Sequence, residues 1–388
     1  MDEYPIELSV VMPCLNEADT IEICISKALR AMQAAGVVGE VIVADNGSTD
    51  SSVQIATALG ARVAHVAEPG YGAALMGGIR ISRGKFVIMG DADDSYDFLE
   101  IPAFVEQLRC GIDLVQGCRL PRGGGRVMPR AMPFLHRWIG NPTLSWLVRR
   151  MFRIPIHDVY CGMRGFTRQL YDRLDLRSPG MEFATEMIIR SGLQGATMSQ
   201  VPITLYPDGR QQHGPHLRTF RDGWRTLRLF LVFSPRWTFL RPGMILIAIG
   251  MFGYALAIPQ AKVFGAVLDV HTLLIASLLV LLGWQAVLFA TLARIFAARE
   301  GMMPRHQRIE RLTVEHGLAF GSLVSLIGMA LIARVIYLWW LVDFGPLNYP
   351  NTMRWVVPGV TLVALGFQTA LGALMAGVLK MQPANRND

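Results

Sequence analysis

The chain has 388 residues, is 52% apolar and carries a formal charge of +7. That length accommodates two domains, and the apolar excess is too large for an ordinary soluble protein. No nucleic-acid motif accompanies the positive charge, so no nucleic-acid partner is expected. Cys14, Cys24, Cys110, Cys118 and Cys161 show no paired spacing, which speaks against a disulfide framework and for reduced thiols.

The first 235 residues read as a globular α/β domain. Apolar runs at 8–12, 40–44, 62–66, 85–89 and 113–118 predict strands, and 17–34, 50–59, 72–82 and 97–109 predict the helices between them. This alternation favours a mostly parallel sheet covered on both faces. Two segments near 133–152 and 217–240 mix Trp, Phe and Leu with Arg and little acid, a composition suited to helices lying in the headgroup plane. An ordinary surface helix packed on the sheet is the alternative for each.

Residues 241–388 predict an all-α membrane domain, with apolar blocks near 243–258, 271–293, 317–341 and 355–379. Roughly 20 apolar residues cross about 30 Å of hydrocarbon. The first block, ended by Pro259, is the shortest, and a buried or re-entrant helix is its alternative. Arg236 and Arg241 precede the first block; Arg294, Arg299, Arg305, Arg308 and Arg311 lie between the second and third; Lys380 and Arg386 follow the fourth. The opposite loops hold little beyond Lys262 and Arg354. That asymmetry predicts a multi-pass protein, in the cell inner membrane, with both termini and the globular domain cytoplasmic. The start, Met1-Asp2-Glu3-Tyr4, lacks the features of a signal peptide, which agrees. Arg334, beside Tyr337, Trp339 and Trp340, reads as a side chain snorkelling to the outer headgroups, with a lipid-diphosphate or partner contact as the alternative.

The chemistry concentrates at strand ends. Behind the run at 85–89 comes Gly90-Asp91-Ala92-Asp93-Asp94-Ser95-Tyr96-Asp97, which sets two carboxylates at the carboxyl edge of the sheet, where α/β folds bind ligands. Paired carboxylates suit a hard cation, Mg2+ or Mn2+, that in turn holds a diphosphate. An acidic loop capping the next helix is the plainer reading. Two further loops end the first and second strands: Met12-Pro13-Cys14-Leu15-Asn16-Glu17 and Asp45-Asn46-Gly47-Ser48-Thr49-Asp50. Asp45 could accept from a ring N–H of uracil or guanine, and Gly47 lets the backbone turn. A structural role is the better reading for Asp50. Gly70-Tyr71-Gly72 lacks the third glycine of a dinucleotide fingerprint, so close backbone approach to a sugar nucleotide or a glycine-eased turn remain as readings of Gly72.

These three loops, in this order, resemble the family 2 glycosyltransferases, whose fold is GT-A. The resemblance implies a nucleotide-sugar donor bound by Pro13, Asn16, Glu17, Asp45, Gly47, Gly72, Asp91 and Ala92, and a metal held by Asp91, Asp93 and Ser95. For Glu17, a helix-start carboxylate is also open. Further matches, Gln116-Gly117-Cys118-Arg119, Asp158 through Gly162-Met163-Arg164, and Val201-Pro202-Ile203, are similar to the polyprenyl-phosphate (dolichol-phosphate) hexose synthases. By that likeness Arg119, Arg137 and Asn141 clamp the phosphate of a polyprenyl phosphate acceptor, Arg210 closes over the diphosphate, and Asp93, Arg119 and Arg210 carry catalysis.

The chain departs from the pattern in two places. Ser95 stands where the family has a metal-binding Gln, whose role would pass to Asp94 or water, and the basic loop 210–216 lacks the usual Lys. Glu182 and Glu186 are the candidates for a base toward a hydroxyl acceptor, and orienting Arg or capping a helix is the preferred reading of both. The expected activity is inverting transfer of a hexose from UDP- or GDP-sugar to a polyprenyl phosphate. A lipid-hydroxyl, glycan or protein acceptor, or a non-catalytic subunit that binds or translocates lipid-linked sugar, is the alternative. A homo-oligomer or a flippase partner is open.

Overall fold

The computed structural model describes residues 4–134, 136–152, 154–210, 233–299 and 313–381, with Trp224, Leu227, Leu231, Met303, Gln307 and Arg311. The chain divides into two compact units, Met1–Phe230 and Leu231–Asp388.

Among its described residues, the first unit holds nine strands: β1 (Ile6–Cys14), β2 (Gly39–Asp45), β3 (Arg62–His65), β4 (Gly84–Met89), β5 (Leu114–Cys118), β6 (Arg126–Val127), β7 (Arg164–Thr167), β8 (Met198–Pro202) and β9 (Thr204–Leu205). Seven of them form one sheet in the order β3-β2-β1-β4-β7-β5-β8. All its pairings are parallel except those of β7, which runs antiparallel between β4 and β5. Leu8, Val10, Val11 and Met12 of β1 are fully buried, as a central strand covered on both faces requires. The helices are α1 (Ile21–Ala34), α2 (Ser52–Ala58), α3 (Tyr71–Ile81), α4 (Ile101–Arg109), α5 (Asn141–Phe152), α6 (Arg168–Leu174) and α7 (Glu182–Leu193). Register pairs Cys14 with Asp45 and Val11 with Met89, so the loops after β1, β2 and β4 leave from one edge.

The helix expected from residue 17 starts only at Ile21 because 15–19 are drawn into this edge. Segment 133–152 forms a π turn, His136–Gly140, leading into α5. Ser145, Val148 and Phe152 of α5 pack inward, while Phe134, Trp138, Ile139 and Trp146 are each more than half exposed. Of the segment near 217–240, residues 217–223, 225, 226, 228–230 and 232 lie outside the described residues.

Among its described residues, the second unit contains four helices long and apolar enough to cross a membrane. They are α8 (Arg241–Ala257, extended to Arg236 by a π turn), α9 (Val270–Arg299), α10 (Val314–Trp340) and α11 (Tyr349–Lys380). The 22 residues from Arg236 would span about 33 Å, so the first block is long enough to cross once its polar-looking start is counted. The helices pair through glycines: Gly243 and Gly250 of α8 meet the backbone of α9, and Gly321 and Gly328 of α10 meet the backbone of α11. Without a hydrophobic drive between helices in lipid, such small residues let backbones approach closely. Tyr254, Ser277 and Thr361 exchange hydroxyl hydrogen bonds in the interior. Arg334 lies over the Trp355 ring at 4.1 Å from its centroid, and Arg354 pairs with Asp269 at 3.0 Å.

Candidate active site

The loop after β1 is braced on the loop after β2. Asn16, in the left-handed region at φ 59°, accepts from Thr49 N (2.8 Å) through Oδ1 and donates its backbone N–H to Ser48 Oγ (3.0 Å). Glu17 N donates to Ser52 Oγ (2.8 Å), and Ala18 N to Asp50 Oδ2 (3.1 Å). Asp50 is therefore a strut between two loops. Asp45 accepts from Ser48 N (3.0 Å) and, more weakly, from Gly47 N. Burial pushes its carboxyl up, but hydrogen bonds from Ser48, His65 and Gly47 outweigh this and hold it below the usual range. Gly47 stands at φ 96° with open space around it, so conformation rather than crowding requires glycine there.

Asn46 ties this edge to the start of α3, donating to Val66 O and Glu68 O and accepting from Gly70 N. A Cβ at Gly72 would collide with Ser178 O and Phe183. The close approach expected at Gly72 is thus made by the chain's own 178–180 segment. That packing fixes Tyr71, whose hydroxyl donates to Asp91 Oδ1 at 2.8 Å.

Three carboxylates converge beside Tyr71. Asp91 is raised above the usual carboxylate range, by burial first and then by the neighbouring Asp93. Glu17, only 6% exposed, is pushed up to about 7 by burial, against which Arg210 works, and by Asp93, Asp208 and Asp91. Its Oε2 is buried with no hydrogen-bond partner. Arg210 answers the cluster: Nη1 reaches Glu17 Oε1 (3.1 Å), Nη2 reaches Asp93 Oδ2 (3.3 Å), and Nε donates to Asp208 (2.9 Å). These groups line a cavity of about 480 Å3 together with Pro13, Ala92 and Met181.

Other expected residues stand apart from that cavity. Ser95 acts through its backbone, donating N–H to Asp93 Oδ1 (3.0 Å) and accepting from Tyr206 N. Asp94, at φ 58°, turns to Lys27 (2.8 Å). Arg119 is 7% exposed and grips fully buried Asp158 through Nε (2.7 Å) and Nη2 (2.9 Å), with Nη1 on Tyr96 Oη (3.4 Å). Tyr96 Oη in turn accepts from Gly162 N (2.9 Å). Arg137 lies beside the Trp138 ring, its Nε buried and without a partner, and Asn141 donates to Met132 Sδ. Glu186 pairs with Arg190 at 2.8 Å and accepts from Ser178 N, which is the orienting role expected of it. Residues 211–216 of the basic loop lie outside the described residues.

Sequence reasoning missed Tyr71 and Asp208. Two flanking glycines were the available signal for Tyr71, while Asp208 carried none beyond its spacing from Arg210. It also missed Arg164 as a buried charge: its guanidinium is fully enclosed, donating to Cys161 O (2.8 Å) and Ala184 O, and burial lowers its pKa.

Among the described residues, no group of three or more His, Cys, Asp and Glu side chains forms a metal cage of its own. The donors present nonetheless fit Mg2+ or Mn2+, which take one or two carboxylates and complete their shell with water and substrate phosphate. Asp91 and Asp93 are those two, and the partnerless Glu17 Oε2 is a buried polar atom left over beside them.

A GT-A-type sheet with strand-end carboxylates around a cavity defines the class of the nucleotide-sugar transferases. Residues 9–175 match glycosyl transferase family 2, and 291–380 match the family's C-terminal transmembrane region. The low-salt glycan biosynthesis hexosyltransferase Agl6 of Haloferax volcanii is 36% identical over 96% of this chain and 89% of its own length. The chain belongs to glycosyltransferase family 2. It is also similar to the dolichyl-phosphate hexose transferase of Haloferax volcanii, at 30% identity over 52% of this chain and 85% of that protein. Likewise, the undecaprenyl-phosphate 4-deoxy-4-formamido-L-arabinose transferase of Pseudomonas paraeruginosa is 30% identical over 45% of this chain and 51% of that protein.

Proposed function

We propose that the chain transfers a hexose, with inversion, from a UDP- or GDP-sugar to a polyprenyl phosphate at the cytoplasmic membrane face, aided by Mg2+ or Mn2+. The observation that carries this reading is the Glu17, Asp91 and Asp93 cluster around a cavity that Arg210 partly neutralises. Two relatives whose names specify dolichyl or undecaprenyl phosphate support the acceptor class.

A bound divalent cation would supply charge neutralisation of the leaving diphosphate, with Asp91 and Asp93 as its protein ligands. Tyr71 holds Asp91 in place. Arg210, released from Asp93 and Glu17 when the donor enters, turns to the diphosphate, where a guanidinium grips two oxygens at once. A lipid phosphate is anionic near neutral pH, so its oxygen attacks the anomeric carbon without a protein base, and Glu186 is already committed to Arg190. Arg137 and Asn141 meet the acceptor phosphate beside the exposed Trp138 and Trp146, in a segment that lies in the headgroup plane. Arg119, gripped by Asp158, holds the end of β5 as a positioning residue.

Replacing Asp93 with Ala tests the reading. Transfer from nucleotide sugar should be lost at saturating Mn2+, and Mn2+-dependent donor binding by calorimetry should weaken at least tenfold, which is about 1.4 kcal/mol. Unchanged turnover by Asp93→Ala in the presence of chelator would contradict it.

A further inference from the structure

We propose that Arg210 is the resting cation of the metal site: it holds the Asp93 oxygen that a divalent ion needs, so the site takes up metal together with a diphosphate rather than ahead of it. This rests on the metal-assisted transfer read above. The geometry divides the Asp93 carboxylate between two holders. Its Oδ1 accepts from Ser95 N (3.0 Å), a bond internal to the loop after β4. Its Oδ2 accepts from Arg210 Nη2 (3.3 Å), while Nη1 of the same guanidinium reaches Glu17 Oε1 (3.1 Å). A divalent ion on Asp93 Oδ2 and the guanidinium would therefore share one oxygen, and two cations that close repel each other. The Arg210 side chain is only 10% exposed, so solvent screens the repulsion poorly.

Asp208 turns this contact into a pivot. It accepts from Arg210 Nε through both carboxylate oxygens (2.9 and 3.0 Å) and from Arg210 N (3.0 Å). The backbone beneath is tied to the metal loop, with Tyr206 N donating to Ser95 O and Gly209 N to Asp93 O, both at 2.9 Å. With its base and Nε held there, the guanidinium leaves Asp93 and Glu17 by rotating its outer nitrogens, and the residue stays at the cavity. An ion that arrives alone must displace the guanidinium and shed water, and it offers Arg210 no new partner. A diphosphate changes both sides of the exchange, because its oxygens accept from the guanidinium in pairs and complete the shell of the ion. The coupling is reciprocal: whatever the diphosphate adds to metal affinity, the metal adds to diphosphate affinity.

The test is Mn2+ binding by calorimetry, on the full chain in phosphatidylcholine nanodiscs, with Mn2+ alone and with saturating UDP or GDP. Heat that is lost in Asp93→Ala defines the site. Arg210→Gln should tighten binding of Mn2+ alone about tenfold, the low end of what freeing a carboxylate from one charge-assisted hydrogen bond is worth. The same variant should shrink the factor by which the nucleotide improves Mn2+ affinity. Arg210→Lys keeps the charge but cannot hold Asp93, Glu17 and Asp208 at once, so its affinity for Mn2+ alone should fall between those of wild type and Arg210→Gln. If Arg210→Gln does not fold, the comparison of Arg210→Lys with wild type decides. Unchanged or weaker binding of Mn2+ alone in a folded Arg210→Gln protein, or an Arg210→Lys protein that matches wild type, would overturn the resting-cation role and leave the metal reading intact. Wild-type protein that binds no Mn2+ with either nucleotide would overturn both.

Discussion

Arg119 and Arg137 look alike in the sequence, since both match positions tied to the acceptor phosphate, yet the structure gives them different surroundings. Arg119 is consumed by Asp158, so Arg119→Ala strands a buried carboxylate and should cost about 3–5 kcal/mol of stability. Arg137 has a buried Nε with no partner, so Arg137→Ala should raise the KM for polyprenyl phosphate with donor binding and melting temperature near wild type. Arg137→Lys should rescue only partly, because an ammonium cannot grip two phosphate oxygens. Thermal melts alongside acceptor titrations separate the two. An acceptor-specific defect in a fully stable Arg119→Ala protein would contradict the positioning role.

Glu17 brings pH into the same site. Its folded-state pKa, near 7, lies above the ordinary carboxylate value, so the proton it keeps stabilises the fold at low pH. That contribution is complete below about 4.5 and is lost as pH rises through about 7. Metal-free protein should therefore gain stability from Glu17→Gln at pH 8 and little at pH 5. Mn2+ should stabilise the wild type more at pH 8 than at pH 5, because Asp91 is raised as well. A melting temperature of the metal-free Glu17→Gln protein that equals wild type at pH 8 would rule this out.

At the scale of elements, the parallel strands were legible because strands buried on both faces read as unbroken apolar runs, and the site loops follow them directly. The strand β7 was not. Arg164-Gly165-Phe166-Thr167 is short and opens on a charge, and only the surrounding sheet makes it a strand. Pairings across the site were equally hidden, since Arg210 and Glu17 lie 193 residues apart. The surroundings of Gly72 were hidden in the same way: a Cβ there would meet Ser178 and Phe183, about a hundred residues further along the chain. Gly72→Ala should destabilise by about 1–3 kcal/mol through overpacking, and should weaken metal binding by moving Tyr71 off Asp91. Melting and Mn2+ titration of this variant check both, and an unperturbed protein would show that the α3 start is not what holds Asp91.

For the whole molecule, hydropathy marked four apolar blocks, and four long helices form there. Their true starts were less legible, because arginines and prolines at the ends, such as Arg236, Arg241 and Pro242, look polar or disruptive in sequence but sit acceptably in a first turn. What the sequence could not convey was how the helices meet. Glycine contacts join α8 to α9 and α10 to α11, and a groove lined by Trp284 and Lys380 follows from residues scattered over 97 positions.

The central claim is that a sugar passes to a lipid phosphate. The most direct measurement incubates the purified full chain with radiolabelled UDP- and GDP-hexoses, Mn2+ and undecaprenyl phosphate, and follows label into the organic phase. The account predicts a lipid product from one donor, abolished by chelator and released by mild acid as a glycosyl phosphate is. Label that enters lipid but survives mild acid, or that appears only on a hydroxyl-bearing glycan or protein, would contradict it.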